Sequence, residues 1–373
     1  MPVLKKISDE FADTKPFEGL KIGACLHITN ETMGLVYALR AGGAQVYLCA
    51  SNPLSTQDDV ADIMRNEGIS VFGKHGDIPE EYAQNIESVA QMNCDFIIDD
   101  GADLTVKIHN LAVTQDHFIM PKGGLEETTA GVNRIRRMAE NGSLKYPILA
   151  VNDSPTKHLF DNVYGTGQST IDGILRATNV MLAGKTFVIA GYGNCGKGLA
   201  QRAKGMGCNV IITEIDPVKA LQAQMDGFQV VPMKVAALIG DIFVTVTGNK
   251  DVITRDHMEL MRDDVILANS GHFDVEIDVK AAKELKLNIL ADGRLVNLVC
   301  AQGHPAEVMD MSFSNQALGL QYLIETIGAM PAHDVFNIPR RISDRIARMK
   351  LESMGIVIDT LTEAQDAYLK SWL

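Results

Sequence analysis

KTFVIAGYGNCGKGLAQRAKGMGCNVIITE, residues 185–214, is the stretch from which the rest of the chain can be understood. Thr186 to Ala190 are apolar or β-branched, Gly191, Gly193 and Gly196 bend the chain into a helix-compatible run, and Val210 to Thr213 form a second apolar strand followed by Glu214. In such a βαβ unit the first glycine makes the tight turn, the second lets the backbone approach a pyrophosphate, and the third lets helix and strand pack closely. The N-terminus of the helix offers free N–H groups to the phosphates. Glu214 falls at the distance of about 20 residues where a carboxylate accepts the ribose hydroxyls of NAD and repels the extra phosphate of NADP. Glycine-rich turns also occur for purely structural reasons. The strand before, the helix after and the acid at this spacing favour NAD binding over that alternative.

Beyond Glu214 the alternation continues through Gln229 to Val231, Asp241 to Thr245 and Val265 to Ala268, each followed by a turn or helix. NSGHFDVEID, from Asn269 to Asp278, leaves the last of these at its carboxyl end and brings His272 to the cleft, where it is as readily a packed structural residue as a catalyst. Ala291 to Pro305 is expected to supply another apolar strand and then His304. The helical stretch Phe313 to Ile327 is expected to cross back to the first half, with no further strand after it. Around it, Met309, Met311, Leu318, Leu320 and Leu323 are more simply core than a cofactor box.

Before the βαβ unit, Lys21 to Leu26, Gln45 to Cys49, Ile69 to Phe72, Phe96 to Ile98 and Pro147 to Val151 read as strands. Thr32 to Arg40, Thr56 to Asn66, Pro79 to Met92 and Glu126 to Asn141 read as helices between them. Such alternation implies mainly parallel sheets. The expected fold is therefore α/β, with two doubly wound domains, one of them a Rossmann NAD-binding domain, and a short helical C-terminal tail. The expected division is 1–152 with 306–336 for a substrate-binding domain, 153–305 for the NAD-binding domain with its hinge segments, and 337–373 for the tail.

Ligands of such sheets sit outside the carboxyl ends of the strands. His27, Asn52, Asp99, Asp100 and Asn152 fall there, with Glu126 and Glu127 expected to open a helix. Any one of them is open to being a helix cap or a solvated loop residue, but several at one edge are harder to dismiss. VNDSPTKHLFDNVYGTGQST, from Val151 to Thr170, is a linker by composition, yet it carries Lys157, Asp161 and Asn162 at helical spacing. Lys157 and Asp161 one turn apart are either a surface ion pair worth tenths of a kcal/mol or a lysine with a tuned pKa in an interdomain cleft.

A chain of 373 residues suggests two or three domains at roughly 150 residues each. Its net charge of -13 argues against nucleic acid or an anionic membrane as partner. The cysteines at 25, 49, 94, 195, 208 and 300 show no metal-ligand spacing, so no metal centre is expected and reduced core thiols are the simpler reading. With no signal-peptide pattern and no apolar run near the ~20 residues of a membrane span, the cytoplasm is the expected compartment.

HITNET, NPLSTQDD, DDGADLT, EETTAG, VNDSPTKHLFDNVYG, GYGNCGKG, ITEIDP, GHFDVEID and GRLVN followed by GHP occur in this order along nearly the whole chain. In this set the sequence closely resembles the S-adenosyl-L-homocysteine hydrolase family, in a short-tailed form found among archaea and thermophilic bacteria. The resemblance implies an enzyme that keeps NAD bound, oxidises the substrate 3′-hydroxyl, eliminates homocysteine after loss of the C4′ proton, adds water at C5′ and reduces the ketone again. It implies that Lys157 takes the 3′-hydroxyl proton, with Asp161 and Glu127 on the ribose hydroxyls and Asn152 near the lysine. Asp100 would be the C4′ base, and His27 and His272 would serve the leaving thiol and the incoming water. Such proton transfers near neutral pH suit two histidines, a lysine and carboxylates in one closed cleft.

Thr29, Glu31, His304 and Met309 resemble the adenine site, while Thr128, Thr129, Asn162, Thr247 and Asn297 would complete the NAD site begun by Gly191, Gly193, Asn194, Gly196 and Glu214. A homodimer or homotetramer is implied as well. Ala130 stands where the family usually has a third threonine, and Thr166 where many members have a cysteine. The chain also lacks a segment after Asp278, and its tail lacks the lysine and tyrosine that in many members reach over the neighbouring NAD.

Other readings are a hydrolase of S-inosylhomocysteine, a lyase on another adenine nucleoside, a conventional dehydrogenase and a non-catalytic NAD-binding paralogue. Glu31 speaks against inosine, because a carboxylate only accepts hydrogen bonds and hypoxanthine presents a carbonyl oxygen where adenine presents its amino group. Such a mismatch costs about 1 to 3 kcal/mol, although Gln302 has the chemistry to adapt to either base.

Overall fold

In the computed structural model, which describes residues 1–372, two parallel sheets carry the chain. The first contains β1 (Lys21–Leu26), β2 (Gln45–Ala50), β3 (Ser70–Phe72), β4 (Phe96–Asp99), β5 (Gly123–Glu126) and β6 (Ile148–Ala150). The second contains β7 (Thr186–Ala190), β8 (Asn209–Thr213), β9 (Gln229–Val230), β10 (Ile242–Thr245), β11 (Ile266–Asn269) and β12 (Asn288–Ile289). A last strand, β13 (Val335–Asn337), returns to the first sheet beside β6. The strand orders are β13-β6-β5-β4-β1-β2-β3 and β12-β11-β10-β7-β8-β9. Each sheet thus grows in two directions from its first strand, and connections diverge between β1 and β4 and between β7 and β10. A crevice opens at each of those points outside the carboxyl ends.

Both faces of both sheets are covered, which is why the strands read as nearly unbroken apolar runs. Side chains alternate by two: Ile22, Ala24 and Leu26 enter one core, while Cys25, with Tyr47, Cys49 and Ile97, enters the core on the opposite face. In the second sheet Phe187 and Ile189 face one way and Val188 the other.

β1 and β7 span the expected residues, and most other expected strands differ by a residue or two at their ends. Glu126 and Glu127 do not open a helix. Glu126 ends β5, paired with Asp99 on one side and Ala150 on the other, and the helix starts at Thr129. The strand expected in Ala291 to Pro305 is absent: Ala291, Asp292 and Gly293 take φ of 53°, 50° and 77°, a left-handed turn no strand can contain, and a short helix Val296–Val299 follows. The stretch Val151 to Thr170 is no loose linker: a 3-10 turn Val151–Asp153 and an extended Ser154 lead into a helical run, unbroken from Pro155, whose middle, His158–Gly165, is a π-helix.

Helix Ala306–Thr326 crosses back to the first sheet, packing on Pro2–Thr14, Asn30–Ala41 and β5. Residue 337, expected to begin a separate tail, instead ends β13, and helix Arg340–Ser353 buries Ile342, Ile346 and Met349 in the first core. Of that expected tail, helix Glu363–Lys370 is exposed.

Candidate active site

One cavity of about 1440 Å³ is lined by loops from the carboxyl edges of both sheets and by the helical run between them. His27 follows β1 and Asp100 follows β4, so both stand at the divergence point of the first sheet; Gly191 follows β7 and Thr247 lies just past β10, at the matching point of the second. Every expected catalytic, substrate and cofactor residue lines this cavity except Gly196, which lies behind it, while the strand-end candidates Asn52, Asp99 and Glu126 do not reach it. A Cβ on Gly196 would stand 2.1 Å from Gly191 O, so the residue serves the close packing of helix Asn194–Gly205 on β7.

Lys157 is 4% exposed and sits at the centre of the polar cluster. Its Nζ donates to Asn162 Oδ1 at 2.8 Å and Asn152 Oδ1 at 3.4 Å, and lies 3.5 Å from Asp161 Oδ1 and 3.9 Å from Glu127 Oε1. The π-helical winding puts residues five apart on one face, which is how Lys157 meets Asn162 as well as Asp161. Asn152 Oδ1 also accepts from Asn162 Nδ2 at 3.2 Å and Thr129 Oγ1 at 3.1 Å.

The long helix Ala306–Thr326 supports the same carboxylates from behind. Ser312 Oγ donates to Asp161 Oδ2 at 2.8 Å, and Gln316 Nε2 donates to Glu127 Oε2. His304 Nδ1 lies 3.1 Å from Asp161 Oδ1. Sequence reasoning took this helix as core and missed both supports. The signal was the run SFSNQ inside an apolar helix, whose Ser312, Ser314, Asn315 and Gln316 are all fully buried.

Charge within the cluster is unevenly held. Burial pushes Glu127 up to about 8, against the pull of Lys157. Asp161 is held below the usual carboxylate range, because Lys157 and His304 outweigh its burial. Burial alone would lower Lys157, but Asp161, Glu127 and Asp100 raise it. In the free protein the balance is therefore an ammonium, one carboxylate and one protonated acid.

A second cluster surrounds Asp100. His27 Nε2 lies 3.5 Å from its Oδ2 and His272 Nδ1 3.6 Å from its Oδ1. Burial raises Asp100 and lowers each histidine to about 4. In the free protein at neutral pH both rings are therefore uncharged, and Asp100 faces neutral imidazoles rather than imidazolium ions. Their ligand-type atoms lie within 4.8 Å of one another, the grouping of base and two histidines that the family resemblance implies.

Asp100 is aimed by the turn that follows it. Gly101 and Ala102 have φ of 102° and 64°, and Glu126, fully buried, accepts from Gly101 N at 2.9 Å, Ala102 N at 3.0 Å and Thr128 N at 2.9 Å. Asp99 accepts from Asp100 N at 3.0 Å and Thr105 N at 2.7 Å. One carboxylate thus fixes the loops bearing Asp100 and Thr128 together.

The second edge fits a dinucleotide. A Cβ on Gly193 would meet nothing within 4 Å, and helix Asn194–Gly205 starts without a side-chain cap, leaving room and N–H groups for a pyrophosphate. Glu214 accepts from Tyr192 N at 2.7 Å, Ile215 N at 2.7 Å and Asp216 N at 3.0 Å. A carboxylate offers about four lone-pair sites, so one remains for a hydroxyl. Asn297 donates to Ser169 Oγ at 3.1 Å, while its Oδ1 is buried with no partner among the described residues, an acceptor left for a carboxamide N–H. Thr247 is held by Glu276, which accepts from Thr247 N at 3.0 Å, Thr247 Oγ1 at 2.6 Å and Gly248 N at 2.8 Å.

Residues 1–122 match the model of the S-adenosyl-L-homocysteine hydrolase family, and residues 162–289 match that family's NAD-binding domain. The chain is 54% identical to adenosylhomocysteinase of Aquifex aeolicus and 51% identical to that of Saccharolobus solfataricus, in each case over 100% of this chain and 93% of the relative. Among solved structures it is similar to a dipicolinate synthase chain of Bacillus halodurans, at 13% identity and a TM-score of 0.50 over 84% of this chain and 99% of that one, a likeness of fold alone. On the sequence identities and the two matched domains together, this chain belongs to the S-adenosyl-L-homocysteine hydrolase family, NAD-binding domain included.

Proposed function

We propose that the protein hydrolyses S-adenosyl-L-homocysteine reversibly to adenosine and homocysteine, in a cleft between a substrate-binding domain (1–152 with 306–353, since β13 and helix Arg340–Ser353 join its sheet and core) and the NAD-binding domain (153–305). The observation that carries this is the placement of Lys157 within 4 Å of Asp161 and Glu127, on the helical run joining the two carboxyl edges. NAD held there would supply the acceptor for a hydride from the 3′ carbon and later its donor back, and its positive charge would disfavour the ammonium form of Lys157. Lys157 takes the 3′-hydroxyl proton. Asp161, ionised, accepts from a ribose hydroxyl, and Glu127, protonated, donates to one. Asp100 takes the C4′ proton, which the neighbouring ketone acidifies. His27 and His272, on either side of Asp100, serve the leaving sulfur and the incoming water.

Thr29, Glu31, His304 and Met309 hold the adenine in this reading, and Gly191, Gly193, Asn194, Glu214, Thr128, Thr129, Asn162, Thr247 and Asn297 hold NAD. Free cysteines at all six positions suit a reducing cytoplasm. A homodimer or homotetramer is the assembly we expect.

The test is to incubate the purified protein with adenosine plus homocysteine, and with inosine plus homocysteine, and to identify thioether products by mass. S-adenosylhomocysteine from the first pair is expected, at about tenfold or more the rate of the second given Glu31. No thioether from the first pair would overturn the proposal.

A further inference from the structure

His27 faces two ways. Its Nε2 points towards Asp100 Oδ2, while its Nδ1 is 2.7 Å from Ser55 Oγ. Ser55 closes the turn Asn52-Pro53-Leu54-Ser55 beyond β2, in which Leu54 N donates to Asn52 Oδ1 at 2.9 Å and the Ser55 hydroxyl donates to Asn52 O at 3.1 Å. A hydroxyl has one proton and two lone pairs. With that proton engaged on Asn52 O, Ser55 Oγ is left to accept from the ring, so the imidazole proton lies on Nδ1 and Nε2 is bare. Ser55 is 4% exposed and does not line the cavity, so whatever it does for the reaction it does through His27.

We infer that Ser55 is a positioning residue that fixes the tautomer of His27, with Nδ1 protonated and Nε2 open towards Asp100 and the cavity. The chemical consequence rests on the hydrolase reading above. A bare Nε2 beside Asp100 lets the pair share one proton, carried either on the carboxyl oxygen or on Nε2. In elimination the C5′–S bond breaks with its electron pair on sulfur; the shared proton passes from Nε2 to sulfur, and the Asp100 carboxylate takes the C4′ proton. In addition the O–C5′ bond forms, water gives its proton to Nε2, and the electron pair of the C4′=C5′ bond goes to C4′, which recovers its proton from Asp100. The pair ends as it began. With the opposite tautomer neutral Nε2 would already be protonated, and it could not take the proton of water.

Charged or titratable groups facing His27 are Asp100, His272 and His304, and those facing Asp100 include Lys157 and Asp161. The experiment is nitrogen-15 NMR of the full-length protein labelled at histidine, with the His27 signals identified by their loss in His27→Gln. We expect Nδ1 to carry the proton and Nε2 to be bare in the wild type, and this preference to be lost in Ser55→Ala. That variant should lose about tenfold or more in kcat and change its pH profile, with KM little altered, and Ser55→Thr should restore both. Protonation of Nε2 in the neutral wild-type ring, or a Ser55→Ala protein with unchanged kcat and pH profile, would overturn the inference. Failure of the hydrolase reading looks different: the wild type makes no thioether, while the NMR experiment still decides the tautomer.

Discussion

Apart from the added β13, the two sheets share one strand order and each carries a buried glutamate behind its carboxyl edge, yet the edges present different chemistry. On the first, Glu126 organises the turns that bear Asp100 and Thr128, and the groups displayed are a histidine, an aspartate and a glutamate with shifted pKa values. On the second, Glu276 organises Thr247 and Gly248 beside a cradle of glycines, backbone N–H groups, hydroxyls and amides, and the group this edge lends to the Asp100 cluster is His272, from the loop after β11. The difference teaches that the doubly wound frame only supplies a crevice. What titrates at the crevice decides whether it moves protons or holds a ligand.

Breaking the proton-moving side should cost most. Lys157→Ala is expected to lose about 10² to 10⁴ in turnover while the purified protein retains NAD, measured by cofactor released on denaturation. Near wild-type turnover would remove Lys157 from the mechanism. Breaking the ligand-holding side should do the converse. Glu276→Ala leaves two backbone donors without their acceptor, at about 1 to 3 kcal/mol each, so titration with NAD should show binding weaker by about tenfold or more. Turnover at saturating NAD should stay within a few-fold of the wild type; a loss as deep as that of Lys157→Ala would erase the distinction between the edges.

A smaller effect sharpens the contrast through stability. Burial raises Asp99 to about 7, above the ~3.9 of an unfolded aspartate. Between those values the folded chain holds a proton the unfolded chain has released, so the contribution of Asp99 is full below about pH 4 and is lost as pH rises to 7. Asp99→Asn lacks this dependence. Its stability relative to the wild type should rise with pH across that window, by up to ~1.4 kcal/mol per pH unit, as read from urea midpoints. His27 and His272 carry the opposite dependence, but both proteins contain them and the difference cancels it. A flat difference would mean Asp99 ionises normally.

Much of this was legible in the sequence where the determinants are local. The turn from Gly191 to Gly196 and the acid at Glu214 lie within one βαβ unit, so spacing alone identifies them. β5 was not legible, because the two glycines of Gly123–Glu126 hide a strand whose pairing is set by β4 and β6. Helix Asp103–Thr114 was missed for a related reason: its start depends on a left-handed Ala102 held by Glu126, not on a capping side chain. Lys157, Asp161 and Asn162 were found by helical spacing, but the π-helical winding that brings Asn162 Oδ1 onto Lys157 Nζ has no such signature. Ser312 and Gln316 support Asp161 and Glu127 across 151 and 189 residues of chain, a separation no local pattern reports.

The central claim is that the first edge performs the proton transfers, and the C4′ hydrogen of the nucleoside reports on it directly. Adenosine incubated in D₂O with the wild-type, NAD-loaded protein should gain deuterium at C4′, detected by mass and proton NMR. With Asp100→Asn the account predicts that this exchange falls by about 10² or more, while adenosine binding is retained. Exchange at the wild-type rate in Asp100→Asn would contradict it.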